Sequence, residues 1–365
     1  MTKNSSKFKV MDLFSGAGGL SFGFQKAGFE ISVAIDNDPN LIVTHQKNFP
    51  DAAGVTQNLF AFGPESFSKA FGFGKGDLEG IIGGPPCQGF SLAGPRNFYD
   101  ERNRLYVSFI EYVKFFRPSF FLIENVPGLA GLFNGQVRNR IVTEFTRMGY
   151  KVNSKILLAS DYGVPQDRRR IFFVGMIEEM FSFPDPTYVS LQNKQKRIAS
   201  KKEKVTVRDA INDLPLLKNE LGAEEMPYPT GPKSDYQKMI RVNSDMIHNH
   251  VATKHTEQTT KIISLVPQGK NYKSLPRALQ KVRNFHVAWT RLHYDKPSPT
   301  IDTGHRHHFH PEANRVLTVR ESARIQSFPD TFIFYGSKTS QYKQVGNAVP
   351  PLLAQVIAEE IKRRL

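Results

Sequence analysis

The stretch KFKVMDLFSGAGGLSFGFQKAGFEISVAID, residues 7–36, decides the fold class. A short apolar run ends in the glycine-rich turn SGAGG, the next ten residues have helical spacing, and a second apolar run ends in Asp36. This order predicts a strand, a turn, a helix and a second strand, which is the repeating unit of an open α/β fold.

The segments that follow extend the same pattern. EGIIGG reads as a strand that ends in a loop, LYVSFIEYVKFF has helical spacing, and SFFLIEN reads as another strand. Further along, SKILLAS and RRIFFVGM are two apolar runs separated by turn residues. We therefore expect a mostly parallel sheet that is closed by an antiparallel hairpin.

Length and charge limit the class of protein. The chain has 365 residues, more than the roughly 100–200 usual for one domain, so we expect two domains. Lysine and arginine outnumber the acids by 49 to 34, which favours a nucleic-acid partner over a membrane. No apolar stretch approaches the roughly 20 residues that cross a bilayer. With no secretory signal and a single cysteine, the sequence predicts a cytoplasmic protein.

The composition changes near residue 181. Residues 181–290 are polar and irregular, and they contain 18 lysines and arginines against 10 acids. This excess of positive charge indicates a second domain that contacts a polyanion. The most basic stretch, QNKQKRIASKKEK, is either a solvated linker or a segment that contacts phosphates.

The glycine turn and Asp36 form a candidate ligand site. Backbone amides at a helix N-terminus can approach a ligand closely, and an acid at the end of the second strand is the usual acceptor for a ribose diol. The dinucleotide pattern G-x-G-x-x-G fails, because Ser21 stands where its third glycine belongs, and this disfavours a dehydrogenase. The alternative is a tight turn without a ligand.

The only cysteine, Cys87, lies in GGPPCQGFS, residues 83–91. A single cysteine is most often a buried, inert side chain. Here it follows a strand at the carboxyl edge of the predicted sheet, where open α/β sheets bind ligands. The next strand ends with Glu124 at the same edge, so two reactive groups are expected to share one crevice.

Six motifs together resemble the DNA (cytosine-5)-methyltransferase family: DLFSGAGGLSFGF, GGPPCQGFS, IENVPG, VPQDRRRIFFVG, RESARIQSFPD and QVGNAVPP. The resemblance covers residues 7–180 and 288–362. It implies a Rossmann-like S-adenosylmethionine-dependent methyltransferase fold, with a catalytic domain formed by residues 1–184 and 340–365. Residues 185–339 would form a smaller, irregular target recognition domain. The last motif is expected to be a loop before a helix that packs beside the first strand.

The resemblance also implies a mechanism. Carbon 5 of cytosine is a weak nucleophile, so the Cys87 thiolate would first add to carbon 6, and Glu124 would hold ring nitrogen 3. Arg168 and Arg170 would lie beside the flipped base, and Gln166 would order the catalytic loop. Flipping is required because the target carbons are stacked in the duplex. The base that removes the carbon 5 proton is not identified.

Further residues are expected to contact the cofactor or the DNA. Asn37 stands where the family usually has a bulky residue, and Asn58-Leu59 stands in place of the usual Asp-Ile pair; the Asn58 oxygen can still accept a hydrogen bond from adenine. The residues expected to bind S-adenosylmethionine are Phe14, Gly16, Ala17, Gly18, Gly19, Asp36, Asn37, Asn58, Leu59, Pro86, Leu105 and Asn347. Those expected to contact DNA from a loop that closes over it are Gln88, Ser91, Arg96 and Asn97.

Two alternatives stay open beside a DNA-directed enzyme. A tRNA-directed relative shares the chemistry but has a reduced recognition domain, and a catalytically silent DNA-binding relative would need neither Cys87 nor Glu124. The histidine-rich segment HRHHFH, residues 305–310, is not expected to bind metal, because no cysteine or carboxylate completes a known ligand spacing. A monomeric state is expected, and the resemblance allows a cognate restriction endonuclease that acts separately, although the sequence does not decide whether this partner exists.

Overall fold

The computed structural model describes residues 8–86, 104–132, 134–190, 201–280, 289–304 and 307–365. The chain divides into two compact units. Unit 1 consists of Met1–Leu158, Arg169–Asp185 and Leu353–Leu365, and unit 2 of Ala159–Arg168 and Pro186–Leu352. No helix in the described ranges is both long enough and apolar enough to cross a membrane.

A seven-stranded sheet forms the centre of the described part of unit 1, with strand order β3-β2-β1-β4-β5-β8-β6. Its strands, numbered along the whole chain, are β1 (Lys9–Leu13), β2 (Glu30–Asp36), β3 (Ala53–Thr56), β4 (Gly80–Gly83), β5 (Phe120–Asn125), β6 (Lys151–Leu158) and β8 (Arg169–Met176). The first five strands in this order are parallel, and β8 pairs antiparallel with both β5 and β6. The predicted parallel sheet with a closing antiparallel hairpin is therefore confirmed.

Helices connect the parallel strands of unit 1. They are α1 (Gly19–Lys26), α2 (Pro39–Asn48), α3 (Pro64–Phe71), α4 (Arg104–Phe116), α5 (Gly128–Gly131), α6 (Gln136–Arg147) and most of α13 (Pro351–Lys362). Aromatic side chains fill the space between α4, α6 and the sheet: the rings of Phe121 and Phe145 stack at 3.9 Å, and Phe109 packs against both. This core fixes the strand ends that carry the candidate site.

The final helix returns to the beginning of unit 1. The Lys362 ammonium group donates a hydrogen bond of 2.9 Å to the Ala27 carbonyl, 335 residues earlier in the chain. Nearby, Arg364 bonds to Glu179, which follows β8. The last helix thus contacts Ala27, which directly follows α1, and its expected packing beside the first strand stays a prediction.

Unit 2 contains short strands and short helices. Its strands are β7 (Gln166–Asp167), β9 (Tyr188–Val189), β10 (Lys202–Glu203), β11 (Gly222–Pro227), β12 (Met246–Val251), β13 (Thr290–Arg291), β14 (Ser298–Pro299) and β15 (His308–Phe309). Its helices are α7 (Val207–Ile211), α8 (Asp235–Ile240), α9 (Glu257–Ser264), α10 (Arg277–Gln280), α11 (Val319–Ile325) and α12 (Lys338–Asn347). The described strands pair two by two, so this unit has no extended sheet among the described residues.

Buried ion pairs stabilise unit 2 around α11. Arg324 is fully buried, and it donates two hydrogen bonds to Asp330, at 2.9 and 2.6 Å, and a third to Asp213. Arg315 forms a bidentate pair with Glu321 at 2.8 and 2.7 Å. These five buried residues form an ionic core in unit 2. Burial raises the pKa of Asp330, but the opposite charge of Arg324 outweighs it and holds that pKa below its usual range.

The extents of units 1 and 2 differ from those expected for the catalytic and recognition domains, and that domain assignment stays a prediction. Residues 159–168 belong to unit 2, because β7 in this segment pairs with β14. The helix α12 and the start of α13 also belong to unit 2, and the Leu352 amide donates to Ser327 Oγ at 3.1 Å. In addition, QVGN of the last motif is helical, since α12 extends to Asn347, where a loop was expected.

Candidate active site

Two glycines allow the end of β4 to lie directly against its neighbours. Gly83 pairs with Leu13 of β1 and with Ile123 of β5. A Cβ atom at Gly83 would lie 2.1 Å from the Leu13 carbonyl oxygen, and one at Gly84 would lie 3.2 Å from Glu124 Oε2. Because no larger residue fits at Gly83, the two glycines bring the segment before Cys87 close to Glu124.

Glu124 forms an ion pair with Arg170. Arg170 Nε lies 2.9 Å from Glu124 Oε1, and the two side chains are only 15% and 11% exposed. The antiparallel pairing of β5 with β8 places Glu124 opposite Phe172, two residues beyond Arg170. Burial lowers the pKa of Arg170, and the carboxylate of Glu124 opposes that shift. The sheet register therefore brings together two of the predicted catalytic residues.

Asn125 fixes the loop that leads to the cysteine. Its Nδ2 donates to the Pro85 carbonyl at 2.9 Å, and its Oδ1 accepts from the Val126 amide at 2.8 Å. The side chain is buried. Sequence reasoning did not assign a role to Asn125, although a buried amide at the end of an apolar strand is a signal that could have been used.

Asp36 holds the glycine turn by a hydrogen bond. The Gly16 amide donates to Asp36 Oδ2 at 3.0 Å, and the Asp38 amide donates to Oδ1 at 3.1 Å. Phe14, Gly16 and Gly18 all have positive φ angles, of 60°, 56° and 104°. A Cβ atom at Gly16 would have no neighbour within 4 Å, so the turn is open on that side. Burial raises the pKa of Asp36.

The other predicted cofactor residues of unit 1 differ in their exposure. Asn37 is exposed, and Asn58 Oδ1 accepts a hydrogen bond of 3.0 Å from the Phe60 amide. Ala17 and Leu59 are buried, while Leu105 is partly buried on α4. Gly19 is the first residue of α1, and Pro86 is exposed at the last described position before Cys87.

A buried polar chain lies behind the glycine turn. Ser21 Oγ donates to Asp12 Oδ2 at 2.6 Å, and His45 Nε2 lies 3.0 Å from Ser21 Oγ. All three side chains are fully buried. Sequence reasoning missed this chain, because its members are distant in sequence and stand in segments whose periodicity indicates only a strand and two helices.

Two predicted residues of unit 2 have buried side chains with well-defined partners. Gln166 donates to Gln326 Oε1 at 2.7 Å and accepts from the Ile301 amide at 2.8 Å. Arg168 is 1% exposed and donates to the carbonyls of Ile301 and Gly346, at 3.2 and 3.0 Å. The structure thus shows both residues joining segments of unit 2. Asn347, which follows Gly346 in the chain, is exposed at the end of α12.

The histidine-rich segment contains two buried rings. Burial lowers the pKa of both His308 and His310 to about 4, so both are neutral at physiological pH. His307 Nδ1 is within hydrogen-bond distance of Asp302 Oδ2. Across the described ranges, no three histidine, cysteine, aspartate or glutamate side chains are arranged to hold a metal ion. His305 lies outside those ranges, and the expectation that this segment binds no metal stays a prediction.

The central predicted nucleophile, Cys87, lies outside the described residues. The same holds for the four residues predicted to contact DNA, Gln88, Ser91, Arg96 and Asn97. The described part of the site therefore consists of the glycine turn, Asp36, the end of β4 and the Glu124–Arg170 pair.

The chain matches a known family along almost its whole length. The family model described as C-5 cytosine-specific DNA methylase matches residues 8–363. The type II methyltransferase M.DdeI of Desulfomicrobium norvegicum is 38% identical over 374 residues, with 96% of this chain and 88% of the relative covered. M1.HphI of Haemophilus parahaemolyticus is 40% identical over 355 residues, covering 96% and 86%.

Solved structures agree with the fold. A crystal structure assigned to a DNA modification methyltransferase encoded within an E. coli prophage has a TM-score of 0.76, with 29% identity, and covers 98% of this chain and 99% of that one. The S. pombe Dnmt2 methyltransferase has a TM-score of 0.59 at 16% identity, covers 98% of each chain, and supports the fold alone. These comparisons confirm the family predicted from the motifs, and they favour the DNA-directed prediction over the tRNA-directed one. The chain belongs to the C-5 cytosine-specific DNA methylase family and is a DNA cytosine-5 methyltransferase whose methyl donor is S-adenosylmethionine.

Proposed function

We propose that Cys87 is the nucleophile and that Glu124 and Arg170 hold the target cytosine beside it. The observation that carries this proposal is the anchoring of the loop before Cys87: Gly83 contacts β1, Gly84 lies against Glu124, and Asn125 binds Pro85. Three fixed points within four residues hold the approach to the cysteine at the strand end that carries Glu124. Such preorganisation is what a nucleophile and its acid partner require.

Cys87 and Glu124 are proposed to act on different atoms of the cytosine ring. The thiolate of Cys87 would form a bond to carbon 6, and the electron pair displaced from the ring would be stabilised by a proton held between Glu124 and ring nitrogen 3. S-adenosylmethionine supplies the electrophilic methyl group for carbon 5. Loss of the carbon 5 proton then lets the thiolate leave with its electron pair, which restores both the aromatic ring and the enzyme.

Arg170 has a specific place in this proposal. Its guanidinium is paired with Glu124 at 2.9 Å and is nearly buried, so it orients the carboxyl group. A planar guanidinium has donors left after one contact, and these could be offered to the oxygen of the base. Arg168 and Gln166 are proposed, from the family resemblance alone, to act near the base.

The glycine turn and Asp36 are proposed to bind S-adenosylmethionine, and the geometry fits that ligand. Each carboxylate oxygen of Asp36 accepts one backbone amide, which leaves a second lone pair on each oxygen for the two ribose hydroxyls. Gly16 is open to a ligand, and Gly19 begins α1, where backbone amides can meet the carboxylate of the methionine moiety. Asn58 is proposed to accept from the adenine amine.

Unit 2 is proposed to recognise double-stranded DNA around the target base. Its support is the concentration of positive charge in residues 181–290 and the absence of the family motifs from that segment. The type II methyltransferases among the relatives support a place in a bacterial restriction–modification system, in the cytoplasm. A monomeric enzyme that works separately from a cognate endonuclease is part of this proposal.

Trapping with 5-fluorocytosine tests the proposed nucleophile. Fluorine cannot leave carbon 5 as a cation, so a duplex with 5-fluorocytosine at the target should form a stable covalent complex with the wild-type protein in the presence of S-adenosylmethionine. Cys87→Ala should form none, yet should bind the unmodified duplex normally, because phosphate contacts dominate affinity. Trapping by Cys87→Ala, or trapping on tRNA instead of duplex DNA, would overturn the proposal.

A further inference from the structure

The buried chain Asp12–Ser21–His45 joins three elements behind the glycine turn. Asp12 is on β1, Ser21 on α1 and His45 on α2, and hydrogen-bond distances of 2.6 and 3.0 Å connect them. Asp12 Oδ1 has no hydrogen-bond partner among the described residues. A buried carboxyl group with one unsatisfied oxygen costs stability, so its presence calls for a functional explanation.

The chain contacts the turn directly. A Cβ atom at Gly18 would lie 2.9 Å from His45 Cδ2 and 2.5 Å from Phe49 Cε2. The rings of His45 and Phe49 stack at 4.3 Å, which keeps both against Gly18. Asp12 itself is two residues before Phe14, and the Ser21 hydrogen bond ties it to the first turn of α1. The carboxyl group therefore lies within the layer that supports the turn.

The neighbouring charge that acts on Asp12 is negative, because it belongs to Asp36. Burial raises the pKa of Asp12 to about 7, the hydrogen bond from Ser21 opposes that shift, and the neighbouring Asp36 carboxylate adds to it. His45 is neutral, because burial lowers its pKa to about 3. Strand β4, on the other side of β1, carries no titratable side chain, and no lysine or arginine of the described ranges forms an ion pair with Asp12.

S-adenosylmethionine carries a sulfonium cation, whereas its product, S-adenosylhomocysteine, has a neutral thioether. We propose that Asp12 is a specificity-determining carboxylate that favours the charged methyl donor over the neutral product, held in place by Ser21 and His45. This inference rests on the proposal that the glycine turn binds the cofactor. The bound sulfonium supplies the positive charge that Asp12 otherwise lacks, and its loss on methyl transfer removes that attraction from the product.

Linkage fixes the direction of the pH dependence. A bound cation stabilises the ionised carboxylate and lowers the pKa of Asp12, so affinity for the cationic ligand must rise as pH increases through about 7. A lowering by about one pKa unit corresponds to a limiting change of about tenfold in affinity. The sulfonium lowers the pKa of the amino group of the methyl donor relative to that of the product, so the pH profile of the affinity ratio is compared between the wild type and Asp12→Asn, in which the ligands titrate identically.

Titration calorimetry of both ligands between about pH 5.5 and pH 8 tests the inference. Over this interval, the ratio of S-adenosylmethionine affinity to S-adenosylhomocysteine affinity should rise about 5- to 10-fold more for the wild type than for Asp12→Asn. Asp12→Asn keeps the shape and removes the charge, so its ratio should follow only the titration of the ligands themselves. The matched control is Tyr150→Phe, which removes a buried hydrogen bond to Pro118 elsewhere in unit 1 and should keep the wild-type profile.

A second readout needs no ligand. The pKa of Asp12 is higher in the folded protein than in the unfolded chain, so its ionisation destabilises the fold progressively from about pH 4 to about pH 7. Asp12→Asn should therefore raise the unfolding temperature at pH 8 and raise it little at pH 5. Equal unfolding temperatures for the two proteins at pH 8 would show that Asp12 is not a buried anion and would overturn the inference.

The outcomes separate this inference from the proposed function. If Asp36→Ala leaves the affinity for both ligands unchanged, the turn is not the cofactor site and the proposed function fails. If Asp36→Ala weakens both ligands but Asp12→Asn leaves the pH-dependent ratio as in the wild type, the site stands and the role of Asp12 is refuted. A ratio that rises with pH in the wild type and in Tyr150→Phe relative to Asp12→Asn supports it.

Discussion

Arg170 Nε lies 2.9 Å from Glu124 Oε1, across the junction where the antiparallel strand β8 joins the parallel part of the sheet. The pair is therefore a product of the sheet register, and a slip of β8 by one residue would turn the Arg170 side chain to the opposite face. Because Arg170 follows Glu124 by more than 40 residues, only the folded sheet brings them together.

Glu124→Gln should lower turnover by about 100-fold or more, since the amide keeps the shape of the side chain but cannot hand over a proton. Affinity for S-adenosylmethionine should stay within about twofold, because Glu124 is not part of the glycine turn. Single-turnover methylation and calorimetry measure the two quantities. Turnover within about threefold of the wild type would exclude Glu124 from the proposed mechanism.

Arg170→Lys should slow methylation by about 10- to 100-fold, because an ammonium group cannot reproduce the planar contact to Glu124 while offering further donors in the same plane. The neighbouring Arg169 provides the matched control: it is exposed, and Arg169→Lys should be neutral. The measurement is the methylation rate of each variant on one duplex that contains the target sequence. Equal rates would mean that any cation is sufficient at position 170.

Gly83→Ala should destabilise unit 1 by about 1–3 kcal/mol or prevent folding, since the added Cβ atom would lie 2.1 Å from a backbone oxygen that cannot rotate away. Gly128→Ala is the control, because a Cβ atom there has no neighbour within 4 Å. Thermal unfolding followed by circular dichroism compares the two. A Gly83→Ala protein as stable as the control would contradict the close approach of β4 to β1.

Asp330→Asn should destabilise unit 2 by about 3–5 kcal/mol at pH 7, because it leaves the buried Arg324 without half of its counter-charge. The only tryptophan, Trp289, is buried in unit 2, so its fluorescence during urea unfolding reports this unit selectively.

The pH dependence of that difference follows from the lowered pKa of Asp330. The stabilisation is present above about pH 4, the usual aspartate value, and is lost as pH falls through the lower pKa of the folded state. The wild type and Asp330→Asn should therefore converge in strong acid. A constant difference between pH 7 and pH 3 would show that the carboxylate charge is not the cause.

Exchanging residues 186–290 for those of a relative with another target should redirect methylation, because the base-reading side chains are proposed to lie there. The structure adds a condition: Asp213 is inside the exchanged segment, while its partner Arg324 is outside. A donor segment that keeps an acid at position 213 should give an active chimera. Bisulfite sequencing of host DNA identifies the new target, and an active chimera that methylates the original target would contradict the division of labour.

The sequence predicted the central sheet because strands and helices of this class follow simple apolar periodicities. The strand from Lys9 to Leu13 and the strand ending at Asp36 have nearly the expected bounds. Glu124 was identified for the same reason, since the end of an apolar strand fixes a position in space. Asp12, Ser21 and His45 could not be found, because each stands alone in its segment and only tertiary packing joins them.

Unit 2 was described only as irregular, and the reason is physical. Many of its strands have two residues, too few to show an alternating pattern. Its interior depends instead on buried arginines and carboxylates, residue types that normally indicate a solvated surface. The assignment of residues 159–168 to unit 2 likewise depends on a strand pairing with Ser298–Pro299, more than 130 residues later.

The hydrogen bond from Lys362 to Ala27 has a consequence for how the polypeptide can be divided. It joins two residues that are 335 positions apart, so tertiary contacts hold the first and last segments of unit 1 together. Loop-closure entropy grows only logarithmically with length, and a break in the backbone between these ends therefore costs little beyond the entropy of association. Two fragments made in the same cell, one ending and the other beginning inside unit 2, should reassemble into a working enzyme, which would make methylation conditional on the presence of both.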